Sequence, residues 1–275
     1  MNPDFTIVTA SYNYGHYIGE CLESVVGQKG VTFEHLVFDG GSTDKTAEVV
    51  GGFPHASFVQ EADRGMCDAI NKGFRAARGK WVMWLNADDR LLPGALAAVK
   101  QFAENHNRAD VIYGGWNFIN GEGSFMHRMT VFPYKQGMMC YLGCYIGSTS
   151  AFYRRQTILD ERLYLNEDFH YVMDGEYYAR LFSLGKKFVY FPRIIAEFRW
   201  HNENISFRNH GVTDVSGWLR LQKQYAESRA IRRAYGGPSF KNEYLNGFAD
   251  TLVYLYWRLI KITLKRIHLF RLRKD

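Results

Sequence analysis

Two adjacent carboxylates, Asp88 and Asp89, follow a short apolar run at residues 81–85 of this sequence. The run is too short for a core helix and rich in strand-forming side chains, so it predicts a strand buried on both faces. Asn86 and Ala87 open the segment that ends in the two carboxylates, at the carboxyl end of that strand, where open α/β sheets bind ligands. Carboxylates beside a buried strand are costly unless a cation binds them. A divalent metal that carries a diphosphate fits this requirement.

Further acidic residues stand where predicted strands end or helices begin, namely Asp39, Asp63 and Asp174. Because the strand ends of a doubly wound sheet lie along one edge, these residues can converge on one cleft. The alternative for each residue alone is a helix cap or a turn, since short polar side chains favour both. Their combination therefore predicts a site more strongly than any single residue does.

The elements that position these residues alternate between strand and helix. We predict strands at 5–12, 33–39, 57–60, 81–85 and 111–113. We predict helices at about 17–28, 42–50 with Ser42 as its N-cap, 67–77 and 93–104. This alternation predicts a mostly parallel sheet flanked by helices. The pattern is irregular over 116–152, with a hairpin-like turn at 121–123, and then predicts a helix at 174–184, a strand at 187–192 and helices past Gly217.

Composition indicates a globular chain. Of 275 residues, 47% are hydrophobic and 23% charged, which excludes a disordered chain. The net charge of +6 comes mainly from the C-terminus, where Arg258 to Lys274 include seven Lys or Arg and no acid. No nucleic-acid-binding module accompanies this charge, so we expect no nucleic-acid partner. The scattered cysteines favour reduced thiols, and the N-terminus lacks a signal-peptide pattern, so we expect a cytoplasmic protein.

The basic C-terminal segment has helical periodicity. Its basic residues recur at spacings of 3, 4, 3 and 3, at Arg258, Lys261, Lys265, His268 and Arg271. No uncharged run reaches the ~18 residues of a transmembrane helix. The pattern predicts an interfacial helix at the inner face of the cell membrane, with its basic side chains toward anionic headgroups. The alternative is a helix packed on the rest of the chain or on a second subunit.

Four ordered segments resemble glycosyltransferase family 2, the inverting nucleotide-sugar enzymes with a GT-A fold. They are TIVTASYN at 6–13, HLVFDGGSTD at 35–44, 63–73 and LNADD at 85–89. Together they cover roughly the first hundred residues, with a weaker match to about Ser206. The resemblance implies a GT-A catalytic domain at 1–215, with a nucleotide-sugar-binding half at 1–114 and an acceptor-side half at 115–215. A helical, basic amphipathic extension would follow at 216–275.

The resemblance also implies a donor site. The implied contacts are Thr9, Ser11, Tyr12, Asn13, Asp39, Gly40, Ser42, Asp63, Arg64, Asp68, Asn71, Lys72, Asn86, Ala87, Asp88 and Asp89. Asp39 would accept a hydrogen bond from the base, usually uracil. Arg64 and Lys72 would approach the diphosphate, and Asp68 and Asn71 the sugar hydroxyls.

A metal site is implied at 86–88, in the place of the family's D-x-D motif. Asp88 would ligate Mn²⁺ or Mg²⁺, and Asp89 would support it or touch the sugar. Asn86 is a departure, because it brings no charge where the family often has Asp. His201 resembles a late loop histidine that meets the diphosphate or metal in relatives, the alternative being a structural histidine.

The catalytic base is implied at Asp174, which opens DGEYYARL and matches the family's acidic motif before an R-L pair. Glu176 is the second candidate, and the alternative for Asp174 is a helix cap. Inverting transfer needs such a base to take the proton of the acceptor hydroxyl.

The function implied is transfer of a sugar from a UDP-linked donor to a hydroxyl of a glycan or lipid-linked glycan, in bacterial surface polysaccharide synthesis. One alternative is a sugar nucleotidyltransferase, which would require a Gly-rich basic loop where residues 11–15 stand. The other is a non-catalytic nucleotide-sugar-binding scaffold. The sugar, the acceptor, the metal and the existence of a homo-oligomer stay open at this point.

Overall fold

The computed structural model describes residues 2–129, 131–202, 204, 215–236 and 251–263. In this part of the chain a single sheet is flanked by helices. Its strands are β1 (Phe5–Ser11), β2 (Phe33–Asp39), β3 (Ala56–Gln60), β4 (Trp81–Trp84), β5 (Arg90–Leu91), β6 (Val111–Ile119), β7 (Phe125–Arg128), β8 (Ala151–Arg154) and β9 (Phe188–Arg199). Its helices are α1 (Ile18–Val26), α2 (Thr46–Gly51), α3 (Met66–Ala76), α4 (Ala95–Glu104), α5 (Gln136–Leu142), α6 (Arg155–Ile158), α7 (Met173–Ser183) and α8 (Val215–Tyr235). Residues 251–263 form a further helix.

The sheet has the order β3-β2-β1-β4-β8-β6-β9-β5, with β7 paired to β6. Strands β1 to β4 are parallel, as the alternating pattern predicts. Beyond β4 the sheet is mixed, because β8 runs antiparallel to both β4 and β6. The chain places β2 and β3 on one side of β1 and β4 on the other. The strand order therefore reverses between β1 and β4, and the carboxyl ends of the strands at such a point are where α/β sheets bind ligands.

Aromatic residues, which make up 16% of the sequence, form the centre of the core. Trp84 on β4 stacks on Tyr153 of β8, with ring centroids 5.4 Å apart and planes 8° apart. Phe74 of α3 and Tyr177 of α7 pack on the same pair. Strand β4 is buried on both faces, as predicted, with every residue at most 3% exposed. Helices α3 and α7 are thus fixed to the strand that precedes the acidic pair.

Strands β6 and β9 are longer than predicted. Their distal halves pair in parallel, from Gly115 opposite Ile194 to Ile119 opposite Arg199, after a register shift next to Gly114. A Cβ on Gly114 would lie 2.9 Å from the carbonyl oxygen of Arg193, so glycine permits the close approach. Pro192 lies within this irregularity, where a strand tolerates proline. The extension of β9 brings Arg199, His201 and Asn204 to the acidic segment that follows β4.

The C-terminal helices pack on the sheet domain. Ile231 of α8 is 5% exposed within the main core. In helix 251–263, Trp257 and Ile260 pack against the same core, and the Trp257 ring lies over Gly137 of α5. Its exposed side chains are mostly apolar, at Leu252, Leu255, Tyr256, Leu259 and Ile262, and include Arg258. Among the described residues, no helix is long and apolar enough to span a bilayer. Lys265, His268 and Arg271 lie outside the described residues.

Candidate active site

Three residues lie side by side at the carboxyl edge of the parallel strands. Ser11 pairs with Asp39 in the register of β1 and β2, and Asp39 pairs with Gln60 in that of β2 and β3. Asn86 to Asp89 follow β4 on the other side of β1. The structure thus brings the predicted donor-site segments of four strands to one edge.

Asp39 organises the loop that follows β2. The residue is 1% exposed. Its Oδ2 accepts hydrogen bonds from the backbone N–H of Ser42 at 2.7 Å and of Gly41 at 3.2 Å, and from Gln60 Nε2 at 3.1 Å. Its Oδ1 accepts from the Ser42 hydroxyl. Because a carboxylate oxygen offers about two acceptor sites, Oδ1, with one hydrogen bond, retains acceptor capacity.

Ser42 does not cap a helix, contrary to the prediction. Helix α2 begins later, at Thr46, after an N-cap residue, Lys45, that makes no side-chain capping bond. The Ser42 hydroxyl instead accepts from the backbone N–H of Asn13 at 2.7 Å while it donates to Asp39. Asn13 has a left-handed φ of 58°, which asparagine tolerates better than most residues. Asn13 and Ser42 therefore join the loops after β1 and β2.

The other predicted residues of β1 differ in accessibility. Thr9 is fully buried, and its hydroxyl lies 2.9 Å from Nε2 of His35. It is therefore a core residue, whereas the resemblance implied a contact with the donor. Ser11 is 5% exposed, and its hydroxyl has no hydrogen-bond partner among the described residues. Leaving such a group unpaired costs about 1–3 kcal/mol. Ser11 is thus a buried polar group without a partner among these residues, and Tyr12 beside it is 60% exposed.

Asp63 lies directly on the backbone of Gly40. A Cβ at Gly40 would lie 2.7 Å from Oδ2 of Asp63, so a larger residue there would displace this carboxylate. The other oxygen, Oδ1, accepts from the backbone N–H of Gly65 at 2.8 Å. Gly65 precedes α3 with a φ of 116°, which requires glycine. The predicted residues Gly40 and Asp63 therefore shape the loop that leads into α3.

The first turns of α3 carry charged residues. Nη2 of Arg64 lies 3.1 Å from Asp68 and 2.7 Å from Glu167. Hydrogen bonding from Arg64 lowers the pKa of Asp68. Lys72 pairs with Glu61 at 2.8 Å and lies 3.6 Å from Asp68. The Arg64 side chain is 73% exposed, so it is accessible to an anion.

Asn71 has a structural contact in place of the expected contact with the sugar. It is 2% exposed, and its Nδ2 donates to the carbonyl of Leu165 at 3.0 Å. Its Oδ1 accepts from the backbone N–H of the same Leu165 at 2.9 Å. Both polar ends of the amide are thus bonded within the protein, and Asn71 fixes the loop before α7 to α3.

Asp88 is paired with residues that follow β9. Its Oδ2 lies 2.9 Å from Nε2 of His201 and accepts from Nδ2 of Asn204 at 2.9 Å. The backbone N–H of His201 donates to Oδ1 of Asn204 at 2.7 Å, which fixes the orientation of that amide. Asp88 is 6% and His201 7% exposed. Sequence reasoning missed Asn204, whose role depends on contacts across the fold.

Asp89 anchors the end of β9. It is fully buried and accepts from the backbone N–H of Arg199 at 2.9 Å and from Nδ2 of Asn86 at 2.8 Å. Burial and the neighbouring Asp88 raise the pKa of Asp89. The structure gives Asp89 a supporting position, and Asn86 donates to it. Ala87 packs beneath this segment in a small apolar cluster with Ile18.

Arg199 is a buried cation that the sequence analysis missed. It is fully buried, and its Nε donates to the carbonyl of Asp88 at 2.9 Å. Its Nη2 pairs with Glu20 of α1 at 2.7 Å, and its Nη1 donates to the carbonyl of Gly121 at 2.8 Å. An arginine at the end of a largely apolar strand was the available signal, because a buried charge requires partners. Arg199 joins the acidic segment, α1 and the turn between β6 and β7.

Asp174 is the second residue of α7. The N-cap residue is Val172, which makes no side-chain capping bond, so Asp174 is not the cap of this helix. Its Oδ1 accepts from the backbone N–H of Gly175 at 2.7 Å. Burial raises the pKa of Asp174, an effect that the hydrogen bonds from Gly175 and Cys144 offset in part. A carboxylate with a raised pKa is a stronger base.

The carboxylate of Glu176, the second candidate for the catalytic base, is bonded within the protein. It is 1% exposed, and its two oxygens bond to Nε and Nη2 of Arg180 at 2.7 and 3.1 Å. The Tyr235 hydroxyl of α8 donates to it at 3.1 Å. Both carboxylate oxygens are used in this ion pair, which favours Asp174 over Glu176 as the base.

A divalent cation fits the pair of Asp88 and His201. No cluster of three or more His, Cys, Asp or Glu occurs within the described residues that could hold a metal unaided. Neighbouring ligands of an octahedral ion with bonds of about 2.1 Å are about 3 Å apart. Oδ2 of Asp88 and Nε2 of His201 are 2.9 Å apart, so both can serve as neighbouring ligands. Phosphate oxygens and water would then complete the coordination shell.

The sheet order, with Asp39 at the end of β2 and Asp88 after β4, is that of a GT-A fold. The sequence profile of Glycosyl transferase family 2 matches residues 6–163. The chain belongs to this family, as the resemblance predicted. The matched region contains β1 to β8 but not Asp174 or His201.

Relatives with assigned roles are similar over part of the chain. A PGL/p-HBAD biosynthesis glycosyltransferase of Mycobacterium bovis (strain BCG / Pasteur 1173P2) is 35% identical over 118 residues, 41% of this chain and 46% of the relative. The succinoglycan biosynthesis protein ExoO of Rhizobium meliloti is 36% identical over 105 residues, 37% of this chain and 30% of the relative. The matched part therefore spans less than half the length of either relative.

Solved structures confirm the fold. TarS of S. aureus, residues 1–349 in complex with UDP-GlcNAc, has a TM-score of 0.62 at 18% identity, covering 84% of this chain and 73% of TarS. The mannosyltransferase PcManGT of Pyrobaculum calidifontis, in complex with GDP-Man and Mn²⁺, has a TM-score of 0.57 at 17% identity. That likeness covers 100% of this chain and 88% of PcManGT.

Proposed function

We propose that this protein transfers a sugar from a nucleotide-diphosphate donor, UDP-linked, to a hydroxyl of a glycan or lipid-linked glycan, with inversion. The observation that carries the proposal is the paired Asp88 and His201 at the same sheet edge as Ser11 and Asp39. This arrangement would bind the diphosphate of the donor next to its nucleobase. The proposed catalytic domain is 1–215, with 216–275 as a helical extension.

The nucleobase of the sugar donor would bind at the ends of β1 and β2. Asp39 retains acceptor capacity for the N–H of uracil, and next to it in the strand register is the Ser11 hydroxyl, which no described residue bonds. Arg64 and Lys72 supply positive charge for the diphosphate. TarS, a structural neighbour, binds UDP-GlcNAc, which supports a UDP-sugar as the donor.

Asp88 and His201 would hold Mn²⁺ or Mg²⁺, which stabilises the negative charge that develops on the leaving diphosphate. In this chain Arg199 fixes the backbone at Asp88, and Asn204 orients the Asp88 carboxylate. These contacts hold the pair in position before a donor arrives. The complex of PcManGT with GDP-Man and Mn²⁺ supports this part of the proposal.

Asp174 would accept the proton of the attacking hydroxyl. Its raised pKa suits a base, and positioned bases contribute about 10² to 10⁴-fold to the rate. Inversion follows if the acceptor attacks from the face opposite the diphosphate, since one displacement inverts the anomeric carbon.

The acceptor side would face a membrane surface. The exposed apolar face of helix 251–263, with Leu252, Leu255 and Leu259, fits insertion into the headgroup boundary. The relatives are named for PGL/p-HBAD and succinoglycan biosynthesis, which supports an acceptor in a surface glycan or glycolipid. The protein would then act as a peripheral enzyme at the inner face of the cell membrane.

A two-part experiment tests the proposal. Thermal shift with a panel of nucleotide sugars, with and without Mn²⁺, identifies the donor, and we expect a UDP-sugar to raise Tm. Release of the nucleoside diphosphate is then measured for wild type, Asp174→Asn and a control, Asp160→Asn, at an exposed position. We expect Asp174→Asn to abolish transfer and to keep donor binding. Full transfer by this variant, or stabilisation by no nucleotide sugar, would contradict the proposal.

A further inference from the structure

Glu227 of α8 binds three consecutive backbone N–H groups immediately before α7. Its Oε1 accepts from His170 at 3.0 Å, and its Oε2 accepts from Tyr171 at 2.9 Å and Val172 at 3.1 Å. Val172 is the N-cap residue of α7 and makes no capping bond with its own side chain. The carboxylate of Glu227 therefore supplies, from another helix, the acceptor that the beginning of α7 lacks.

The same face of α8 contacts the first turn of α7 at two further positions. Ile231 lies one turn after Glu227, and its Cδ1 is 3.8 Å from the Cβ position of Gly175. Tyr235 lies one turn further and donates its hydroxyl to Glu176 at 3.1 Å. Residues spaced by four lie on one face of a helix, so these three side chains form a continuous contact with residues 170–176.

The loop before α7 is also bound on its other side, by the helix of the donor site. Asn71 of α3 bonds to the backbone of Leu165, and the Cys67 thiol donates to the carbonyl of Phe169 at 3.4 Å. Arg64 pairs with Glu167 at 2.7 Å. The loop that leads to Asp174 is thus fixed between α3 and α8.

We propose that Glu227 is a positioning residue for the transfer reaction, holding the start of α7 so that the Asp174 carboxylate faces the acceptor hydroxyl. This inference rests on the proposed role of Asp174 as the base. Helix α8 then contributes to catalysis from the helical extension, although the family match ends at residue 163. Without the carboxylate, three N–H groups lose their acceptor and the first turn of α7 loses its fixed position.

The expected effect is on the chemical step and not on donor binding. The donor-site residues at the ends of β1, β2 and β4 have no contact with Glu227 among the hydrogen bonds described above. Small misplacements of a reacting group cost up to about 10²-fold in rate. Glu227→Ala should therefore lower kcat by about 10 to 100-fold and leave the donor KM unchanged.

The test compares the unchanged protein with Glu227→Ala, Glu227→Gln and Lys223→Ala, the last at an exposed position one turn earlier on α8. Glutamine keeps one acceptor oxygen, so Glu227→Gln should recover part of the kcat that alanine loses. Lys223→Ala should behave as wild type. Hydrogen exchange at residues 170–172 should be faster in Glu227→Ala, which reports the lost contacts independently of activity.

The outcomes separate this inference from the proposed function. If Asp174→Asn is inactive while Glu227→Ala keeps the wild-type kcat, the positioning role is wrong and the function stands. The positioning role is also wrong if the loss of kcat in Glu227→Ala only equals its loss of folded protein. It is wrong as well if Glu227→Gln has a kcat no higher than that of Glu227→Ala. If Asp174→Asn retains full transfer, the proposed function fails first.

Discussion

Oδ2 of Asp88 lies 2.9 Å from Nε2 of His201, although the two residues are 113 positions apart in the sequence. The contact joins the loop after β4 to the segment after β9. It depends on the parallel pairing of β6 with the distal half of β9, which ends at Ile119 and Arg199. The candidate metal pair therefore exists only when the second half of the sheet has formed.

We expect His201→Ala to weaken metal-dependent donor binding, because the pair would lose its imidazole ligand. Calorimetric titration of the protein with UDP, with and without Mn²⁺, should show the loss of UDP affinity only when Mn²⁺ is present. His127→Ala, at an exposed position on β7, is the matched control. An equal loss of UDP affinity in the absence of metal would assign His201 to a direct ligand contact.

Asp174→Asn should raise the stability of the fold at neutral pH while it abolishes transfer. Burial raises the pKa of Asp174, so folding favours its protonated form. The contribution of this group to stability is therefore complete below the unfolded pKa and is lost as pH rises through the folded pKa. Asparagine has no charge to bury, and a higher Tm for the variant at pH 7 than for wild type checks this.

The pH dependence of kcat should also report the ionisation of Asp174. A base must be deprotonated, so kcat should fall as pH decreases through the pKa of Asp174, which burial raises from its ordinary value. The pH dependence of kcat at saturating donor measures this limb. A profile that stays flat down to the pH at which the protein unfolds would oppose Asp174 as the base.

Replacing Arg199 should destabilise the protein strongly. Arg199→Met removes the donor to the buried carbonyl of Asp88 and to that of Gly121. Each buried acceptor left without a donor costs about 1–3 kcal/mol. Urea unfolding at pH 7 measures the change, with Arg78→Met, at a side chain that is 71% exposed, as the control. A change in Arg199→Met no larger than in the control would be inconsistent with the buried network.

Gly40→Ala should weaken UDP binding more than it weakens the fold. The added Cβ would lie 2.7 Å from Oδ2 of Asp63 and displace the loop before α3. Gly51→Ala is the matched control, because nothing lies within 4 Å of its Cβ position. The measurement is the dissociation constant of UDP for each variant. Equal values would show that the loop accommodates the added methyl group without a loss of UDP affinity.

Charge on the outer face of helix 251–263 should reduce membrane binding. Leu259 is 66% exposed, and Leu259→Glu places a negative charge where we propose lipid contact. Sedimentation with anionic phosphatidylglycerol vesicles should show less bound protein than for wild type. Leu219→Glu, at a side chain on α8 that is 51% exposed, controls for a general effect of charge. Equal binding of all three proteins would remove the membrane proposal.

The parallel half of the fold was predictable from the sequence because its strands have regular patterns. Strand β4, an uninterrupted apolar run, and the acidic positions after β2 and β4 followed directly. The distal halves of β6 and β9 were not predictable, since Gly114, Gly115 and Pro192 interrupt the strand pattern. Only the pairing of the two segments with each other makes them strands.

The candidate site was predictable as a set of strand ends but not as a set of contacts. Asp39 and Asp88 could be found because their position relative to a strand is local. Arg199 and Glu227 could not, because each acts on backbone groups distant in the sequence. Asn71 was placed correctly on α3, but its contact with Leu165 is visible only in the folded chain.

The buried guanidinium of Arg199 limits how this chain can recombine with its relatives. It binds the Asp88 carbonyl, Glu20 and the Gly121 carbonyl, which belong to three separate segments. A crossover between residues 121 and 199 would combine an arginine from one parent with acceptors from another. Functional chimaeras should therefore exchange the stretch from Glu20 to Asn204 as one block.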